Sequence, residues 1–249
     1  MANSDIEKYG LIGKNIVYSF SKQYFTDKFK QENLPNFSYE NFDIQDINQL
    51  QSVVSETIYL KGLNVTIPFK ESVFPFLDKI NKKALVIGAV NTIKITKNKK
   101  LKGYNTDYYG FKKSIKPYLK SHHKNALILG TGGASKAIAY VLHELNIEYK
   151  FVSRTPSINQ FSYEELDAKI FSAFTIIINC TPVGTYPNHS EYPALPYSFF
   201  TAQHLAFDLI YNPAETLFLQ KAKEFQAETL NGYQMLVFQA EKAWEIWNK

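Results

Sequence analysis

Ala126-Leu127-Ile128-Leu129-Gly130-Thr131-Gly132-Gly133-Ala134-Ser135 is a short, wholly apolar run that breaks into a glycine turn. The turn leads into residues 134–145, where Ala137, Ile138, Val141, Leu142 and Leu145 recur at helical spacing on one face. Strand, glycine turn and helix in that order open a βαβ unit. Apolar runs at residues 149–153, 174–179 and 205–209 read as the next strands, with helical stretches between most of them. Strands without polar alternation, separated by helices, belong to a parallel sheet covered on both faces. The fold class is therefore α/β.

The turn also carries chemistry. Glycines between a strand and a helix let the backbone approach a pyrophosphate, whose charge is then met by N–H groups at the helix N-terminus. Gly130, Thr131, Gly132, Gly133 and Ala134 are the candidate cradle of a dinucleotide, with Ser135 where the usual fingerprint has its third glycine. The end of the next strand selects the dinucleotide. An NAD site places a carboxylate there for the ribose hydroxyls, whereas this chain reads Ser153-Arg154-Thr155. A guanidinium fork flanked by two hydroxyls suits a 2′-phosphate, so NADP is the expected cofactor.

Upstream, strands are expected at residues 9–12, 37–42, 63–67 and 90–95, with a helix from about residue 19. Pro68 stops one of these strands, and residues 70–79 read as a helix, which sets Lys70 at a strand-to-helix junction. Ligands of open α/β sheets bind beyond the carboxyl ends of the strands, where such a lysine is well placed. A helix over residues 107–119 and a polar linker over 120–125 put a domain boundary near Asn105. The last segment, residues 232–247, is helical, with Met235, Leu236, Phe238, Ala243, Trp244 and Trp247 as packing positions. There is no internal repeat and no low-complexity segment.

Bulk properties exclude several classes. The 249 residues are 45% hydrophobic and 20% charged, which is ordinary globular composition with room for two modest domains. A net charge of +5 favours anionic small molecules. Lys97, Lys99, Lys100 and Lys102 read as a solvated turn between strands, too small a footprint for nucleic acid. The N-terminus lacks the apolar core of a signal peptide, and no run reaches the roughly eighteen apolar residues of a membrane span. With Cys180 as the single cysteine there is no disulfide framework, and a cytoplasmic location is expected. The five histidines show no metal-ligand spacing, so no metal is expected.

Motifs spanning almost the whole chain resemble the shikimate dehydrogenase family. In order they are Ser19-Phe20-Ser21, residues 64–70 (NVTIPFK), residues 88–92 (GAVNT), residues 103–107 (GYNTD), the glycine turn, Ser153-Arg154-Thr155, residues 179–184 (NCTPVG), residues 208–213 (DLIYNP) and residues 231–240 (NGYQMLVFQA). The resemblance implies NADPH-dependent reduction of 3-dehydroshikimate to shikimate, a step of chorismate and aromatic amino-acid biosynthesis. It implies a substrate-binding domain over residues 1–105, joined by the C-terminal helix 233–249, and a Rossmann-type NADP domain over 106–232. It implies a catalytic pair, Lys70 and Asp107, and substrate contacts from Ser19, Ser21, Asn64, Thr66, Asn91, Tyr211 and Gln239. Thr181 and Gly232 join the cofactor contacts, and the protein is expected to act as a monomer or homodimer.

Elementary chemistry supports these roles. Reducing a ketone needs a hydride on carbon and a proton for the developing alkoxide, and a positioned lysine can stabilise and protonate that oxygen. A neighbouring aspartate would hold the ammonium and keep it protonated. Taken alone, Ser19 and Ser21 read as a helix N-cap; with free N–H groups beside them they also make a carboxylate cradle. Lys22, Tyr18 and Ser153 depart from the family's usual proline, histidine and asparagine. Two rival readings are a quinate or dual quinate/shikimate dehydrogenase, and a non-catalytic metabolite-binding regulator on the same fold.

Overall fold

The computed structural model describes residues 6–16 and 19–249; Tyr18 lies outside them. The chain divides into two compact units, one running up to Thr106 and including Ala240–Lys249, the other Asp107–Gln239. The first contains β1 (Glu7–Gly13), α1 (Phe20–Gln31), β2 (Phe37–Asp43), α2 (Leu50–Glu56), β3 (Leu60–Val65), α3 (Phe69–Ser72), β4 (Lys79–Ile80), α4 (Lys82–Ile87), β5 (Thr92–Ile95) and β6 (Leu101–Tyr104). The second contains α5 (Asp107–Ile115), β7 (Asn125–Leu129), α6 (Gly133–Glu144), β8 (Glu148–Val152), α7 (Ala168–Ala173), β9 (Ile176–Asn179), β10 (Leu205–Asp208), α8 (Leu217–Glu224), β11 (Glu228–Leu230) and the start of α9 (Tyr233–Asn248), whose end belongs to the first unit.

In the first unit a mixed sheet runs β2-β1-β3-β5-β6-β4. The β1–β2, β1–β3 and β4–β6 pairs are parallel, and β3–β5 and β5–β6 are antiparallel. One face of this sheet buries Ile12, Leu63, Val65, Phe69, Ala84 and Ile93. The other buries an aromatic layer in which Tyr9, Phe25, Phe29 and Tyr39 meet Ala240, Ala243 and Trp247 from the end of α9. Trp247 donates its indole N–H to the Ile93 carbonyl (2.9 Å). The lysine-rich stretch is the turn joining β5 to β6, closed by Thr96 and Lys100 (3.0 Å).

The helix expected over residues 70–79 is shorter. It ends at Ser72, and a 3-10 turn follows over Phe74–Phe76. Pro75 has no N–H to continue the ladder. Asp78 then exchanges hydrogen bonds with Leu101, donating N–H to its carbonyl (3.0 Å) and accepting its N–H on the carboxylate (2.8 Å). That exchange draws residues 79–80 into the sheet beside β6.

In the second unit every strand pair is parallel and the order is β11-β10-β9-β7-β8. Side chains alternate between two cores with the period-2 geometry of a strand. Ala126, Ile128, Ile176, Ile178, Leu205 and Phe207 face α5, α6 and Met235, while Leu127, Leu129, Ile177 and Ala206 face Phe171, Phe218 and Leu219. Burial on both faces is why these strands read as unbroken apolar runs.

Candidate active site

Strand order fixes where the second unit can hold a ligand. Chain order proceeds from β7 outward to β8 and then returns past β7 to β9, so the direction reverses between β7 and β9. A crevice opens at such a switch point beyond the carboxyl ends of the strands. The glycine turn follows β7 there. Gly130 adopts φ +93°, a left-handed conformation that favours glycine, and a side chain at that position would meet the Thr181 methyl at 3.0 Å. Its N–H binds the Val152 carbonyl at the end of β8 (2.9 Å), and Cys180 N–H binds the Leu129 carbonyl (2.9 Å). Gly132 is the N-cap of α6 and brings no side chain to the first-turn N–H groups, and space stands open where its Cβ would be. Ser135 is buried and turns its hydroxyl back onto the Gly132 carbonyl (2.7 Å). An open glycine surface before an uncapped helix N-terminus fits a dinucleotide pyrophosphate.

Ser153, Arg154 and Thr155 follow β8, with Arg154 and Thr155 exposed. Thr155 N–H binds the Ser153 hydroxyl (3.2 Å), which curls this loop. After β9, the Asn179 side chain accepts from both the N–H (3.0 Å) and the hydroxyl (2.7 Å) of Thr181. Gly232 donates its N–H to the Ile210 carbonyl (3.0 Å), and a side chain on it would overlap the Leu209 carbonyl. Gly232 is thus explained by close approach to the loop bearing Tyr211. Cys180 stays a thiol, since burial pushes its pKa well up.

Asp107 is buried at the head of α5, where a carboxylate complements the helix dipole. One turn on, Gly110 faces Gln239 of α9, whose N–H and Cβ both lie 3.1 Å from where a Gly110 Cβ would stand.

The first unit holds a chain of buried polar side chains. Ser19 caps α1 by accepting Ser21 N–H (3.3 Å), which leaves its own O–H for another acceptor. The Ser21 hydroxyl lies within hydrogen-bonding reach of the Tyr39 phenol. Tyr39 donates to Asn64 Oδ1 (2.8 Å), and Asn64 Nδ2 points at the Asn91 carbonyl and Thr92 Oγ1, both at 3.3 Å. Asn91 holds Thr106 twice, accepting its N–H (2.6 Å) and donating to its hydroxyl (3.0 Å). Thr66 sits at the end of β3, its N–H on the Ile12 carbonyl (3.0 Å). The Lys70 carbonyl accepts Val90 N–H (2.8 Å), next to Asn91 in the chain, and Asp107 follows Thr106. Lys70 itself is half-buried.

Four residues of these networks escape sequence reading: Tyr39, Thr92, Asn179 and Asp208. Tyr39 sits in a strand whose pattern reads as packing. Asp208 alone leaves a trace, a carboxylate ending an apolar strand; burial pushes its pKa up to about 7 against three hydrogen-bond donors. Among the described residues no group of three or more His, Cys, Asp or Glu could hold a metal, and no helix is long and apolar enough to cross a membrane.

Residues 11–93 match the model of the shikimate dehydrogenase substrate binding domain. Over 99% of its length the chain is 38% identical to the shikimate dehydrogenase (NADP(+)) of Methanococcus aeolicus, covering 94% of that protein. A crystal structure of a shikimate dehydrogenase in complex with NADP+ aligns with a TM-score of 0.86 at 34% identity, covering 99% of this chain and 91% of that one. The Thermus thermophilus shikimate 5-dehydrogenase in complex with NADP(H) and shikimate aligns with a TM-score of 0.84 at 29% identity, covering 97% and 93%.

Proposed function

The chain belongs to the shikimate dehydrogenase family and is an NADP-dependent oxidoreductase acting on a CH–OH group; within that activity we propose that Lys70 and Asp107 work at the reacting carbonyl of 3-dehydroshikimate. The observation that carries this reading is the buried frame Asn64–Asn91–Thr106, which fixes the Lys70 backbone through Val90 and leads directly into Asp107.

Bound NADPH supplies the hydride. Lys70 donates a hydrogen bond and then a proton to the carbonyl oxygen as its charge develops. Asp107 keeps that ammonium protonated and accepts from the adjacent ring hydroxyl. Ser19 and Ser21, with the first N–H groups of α1, hold the substrate carboxylate. Asn64, Thr66, Asn91 and Gln239 address ring oxygens, and Tyr211 adds a further contact. On the cofactor side, Gly130 to Ala134 present backbone N–H groups to the pyrophosphate, Arg154 with Ser153 and Thr155 binds the 2′-phosphate, and Thr181 and Gly232 line the approach to the nicotinamide. A substrate domain over residues 1–105 and 233–249 and an NADP domain over 106–232 follow from this division of labour. A cytoplasmic location accords with the unreactive single thiol.

Steady-state rates with shikimate and with quinate, each with NADP and NAD, test the substrate and cofactor together. Shikimate with NADP is the expected best pair, and a preference for quinate with NAD would overturn it. Lys70→Ala should lose about 10²- to 10⁴-fold in turnover with NADP affinity nearly intact.

A further inference from the structure

The phenol of Tyr39 is the link between Ser21 and Asn64, two side chains given separate tasks above. Its ring is buried on β2, stacked on Phe25 with centroids 4.6 Å apart and planes at 11°. Burial pushes the phenol pKa well above its ordinary value, so it keeps its proton and remains a donor. That donor goes to Asn64 Oδ1 at 2.8 Å. With its oxygen engaged, the Asn64 amide has one orientation, and its N–H groups point at partners that are both 3.3 Å away. Such bonds are long for N–H···O, and an amide held this way can exchange one for a ligand hydroxyl at small cost. Ser21, in reach of the same phenol oxygen, has a resting acceptor for its O–H until an anion arrives.

We propose that Tyr39 is a positioning residue for substrate: its hydroxyl orients Asn64 toward a ring hydroxyl and Ser21 toward the carboxylate, tying the two ends of the substrate site together. The inference rests on Asn64 and Ser21 contacting substrate. On carboxylate binding, the Ser21 O–H turns from the phenol to the anion, while the phenol keeps donating to Asn64. Tyr39 never touches substrate, so its removal should weaken substrate binding more than turnover at saturation.

Tyr39→Phe deletes the hydroxyl and keeps the stacked ring. In the full-length enzyme with NADP, the KM for shikimate should rise about 5- to 30-fold, with kcat and NADP affinity within about twofold. Asn64→Ala is the companion. If Asn64→Ala leaves the KM unchanged, Asn64 is no substrate contact, and the assignment beneath this inference fails. If Asn64→Ala raises the KM and Tyr39→Phe does not, the role of Tyr39 alone is overturned. A Tyr39→Phe enzyme that loses NADP affinity and kcat along with substrate affinity also overturns it, since that is the pattern of general damage. Should Tyr39→Phe be too unstable, the double variant with Asn64→Ala removes both partners of the bond and restores a compatible pair. Its KM should lie within about twofold of Asn64→Ala alone, and a larger additional rise would sink the proposed route through Asn64.

Discussion

Asn179 at the end of β9 donates from Nδ2 to Asp208 Oδ1 at the end of β10, 3.0 Å away across adjoining parallel strands. Each partner holds a loop. Asn179 Oδ1 accepts from Thr181, and Asp208 accepts from Ile210 N–H (3.0 Å) and the Thr216 hydroxyl (2.6 Å) on either side of Tyr211. One buried pair therefore sets a loop proposed to meet cofactor and another proposed to meet substrate.

Asp208→Ala strands three donors in the interior and should destabilise the protein by about 2–4 kcal/mol, with weaker NADP binding. Asp208→Asn keeps an acceptor for Asn179 and Ile210 and can donate to Thr216, so it should fold close to normally. The sign of the pH effect follows from the raised pKa, about 7 against about 4 unfolded. The folded carboxyl binds its proton more tightly, so its contribution to stability is lost as pH rises from about 4 to 7. Urea midpoints of wild type and Asp208→Asn across that range should converge or cross as pH rises. A constant difference between them would show that Asp208 is ionised throughout.

Much of this was legible in the residues, for identifiable reasons. The second unit announces itself because its strands are buried on both faces and its turn needs glycine, and both constraints act locally on the chain. The antiparallel insertion of β5 and β6 into the first sheet, and the edge strand β4, depend on pairings such as Lys79↔Lys102 and Leu63↔Ile93 that no local period records. The helix expected past Lys70 failed at Pro75 for the same reason, since Asp78 prefers Leu101 of a distant strand. Within the candidate site, residues in motifs stood out, whereas Tyr39 was hidden because an aromatic in a strand reads as core.

Arg154 stands exposed after β8 with no carboxylate in the Ser153-Arg154-Thr155 loop to contact ribose hydroxyls. If its guanidinium meets the 2′-phosphate, Arg154→Ala should weaken NADP by about 1.5–3 kcal/mol, a loss of roughly 10- to 150-fold, while NAD use changes little. Cofactor KM values for both dinucleotides decide it. An equal loss for both would place Arg154 elsewhere than on the 2′-phosphate.

His123 and His204 are buried below the sheet, and both work as neutral rings. His204 Nδ1 accepts Thr201 N–H (3.0 Å) while Nε2 faces the Phe171 carbonyl (3.0 Å), and His123 Nδ1 accepts Lys120 N–H (3.0 Å). Desolvation lowers both pKa values; His122 and Lys120 reinforce this at His123, while Glu228 opposes it. Below about pH 6.5 the unfolded chain takes up protons that these folded rings resist. Stability should therefore fall as pH drops through that value and be indifferent to these rings above it, opposite in sign to the Asp208 effect. Urea melts of wild type and His204→Gln from pH 7.5 to 5 should show the variant losing less. Parallel losses would clear His204 of the effect.

Gly62 is where the end of α9 meets the first sheet. A Cβ there would overlap the indole of Trp247, which lies over the strand with its N–H on the Ile93 carbonyl (2.9 Å) and its ring 4.9 Å from that of Tyr9. The clash is with a ring locked among Tyr9, Phe25 and Tyr39, not with the free end of a flexible chain. Gly62→Ala should therefore force the indole off its seat and cost about 1–3 kcal/mol. A red-shifted tryptophan emission would accompany the lower melting temperature, because the displaced indole loses both its carbonyl partner and its dry surroundings. NADP titration should be unchanged, since the glycine turn belongs to the other unit. Trp247→Phe separates the two contributions: it removes the hydrogen bond while leaving room for a Cβ, so in that background the additional cost of Gly62→Ala should shrink. Undiminished cost would mean that the glycine is required by the strand itself and not by the helix packed upon it.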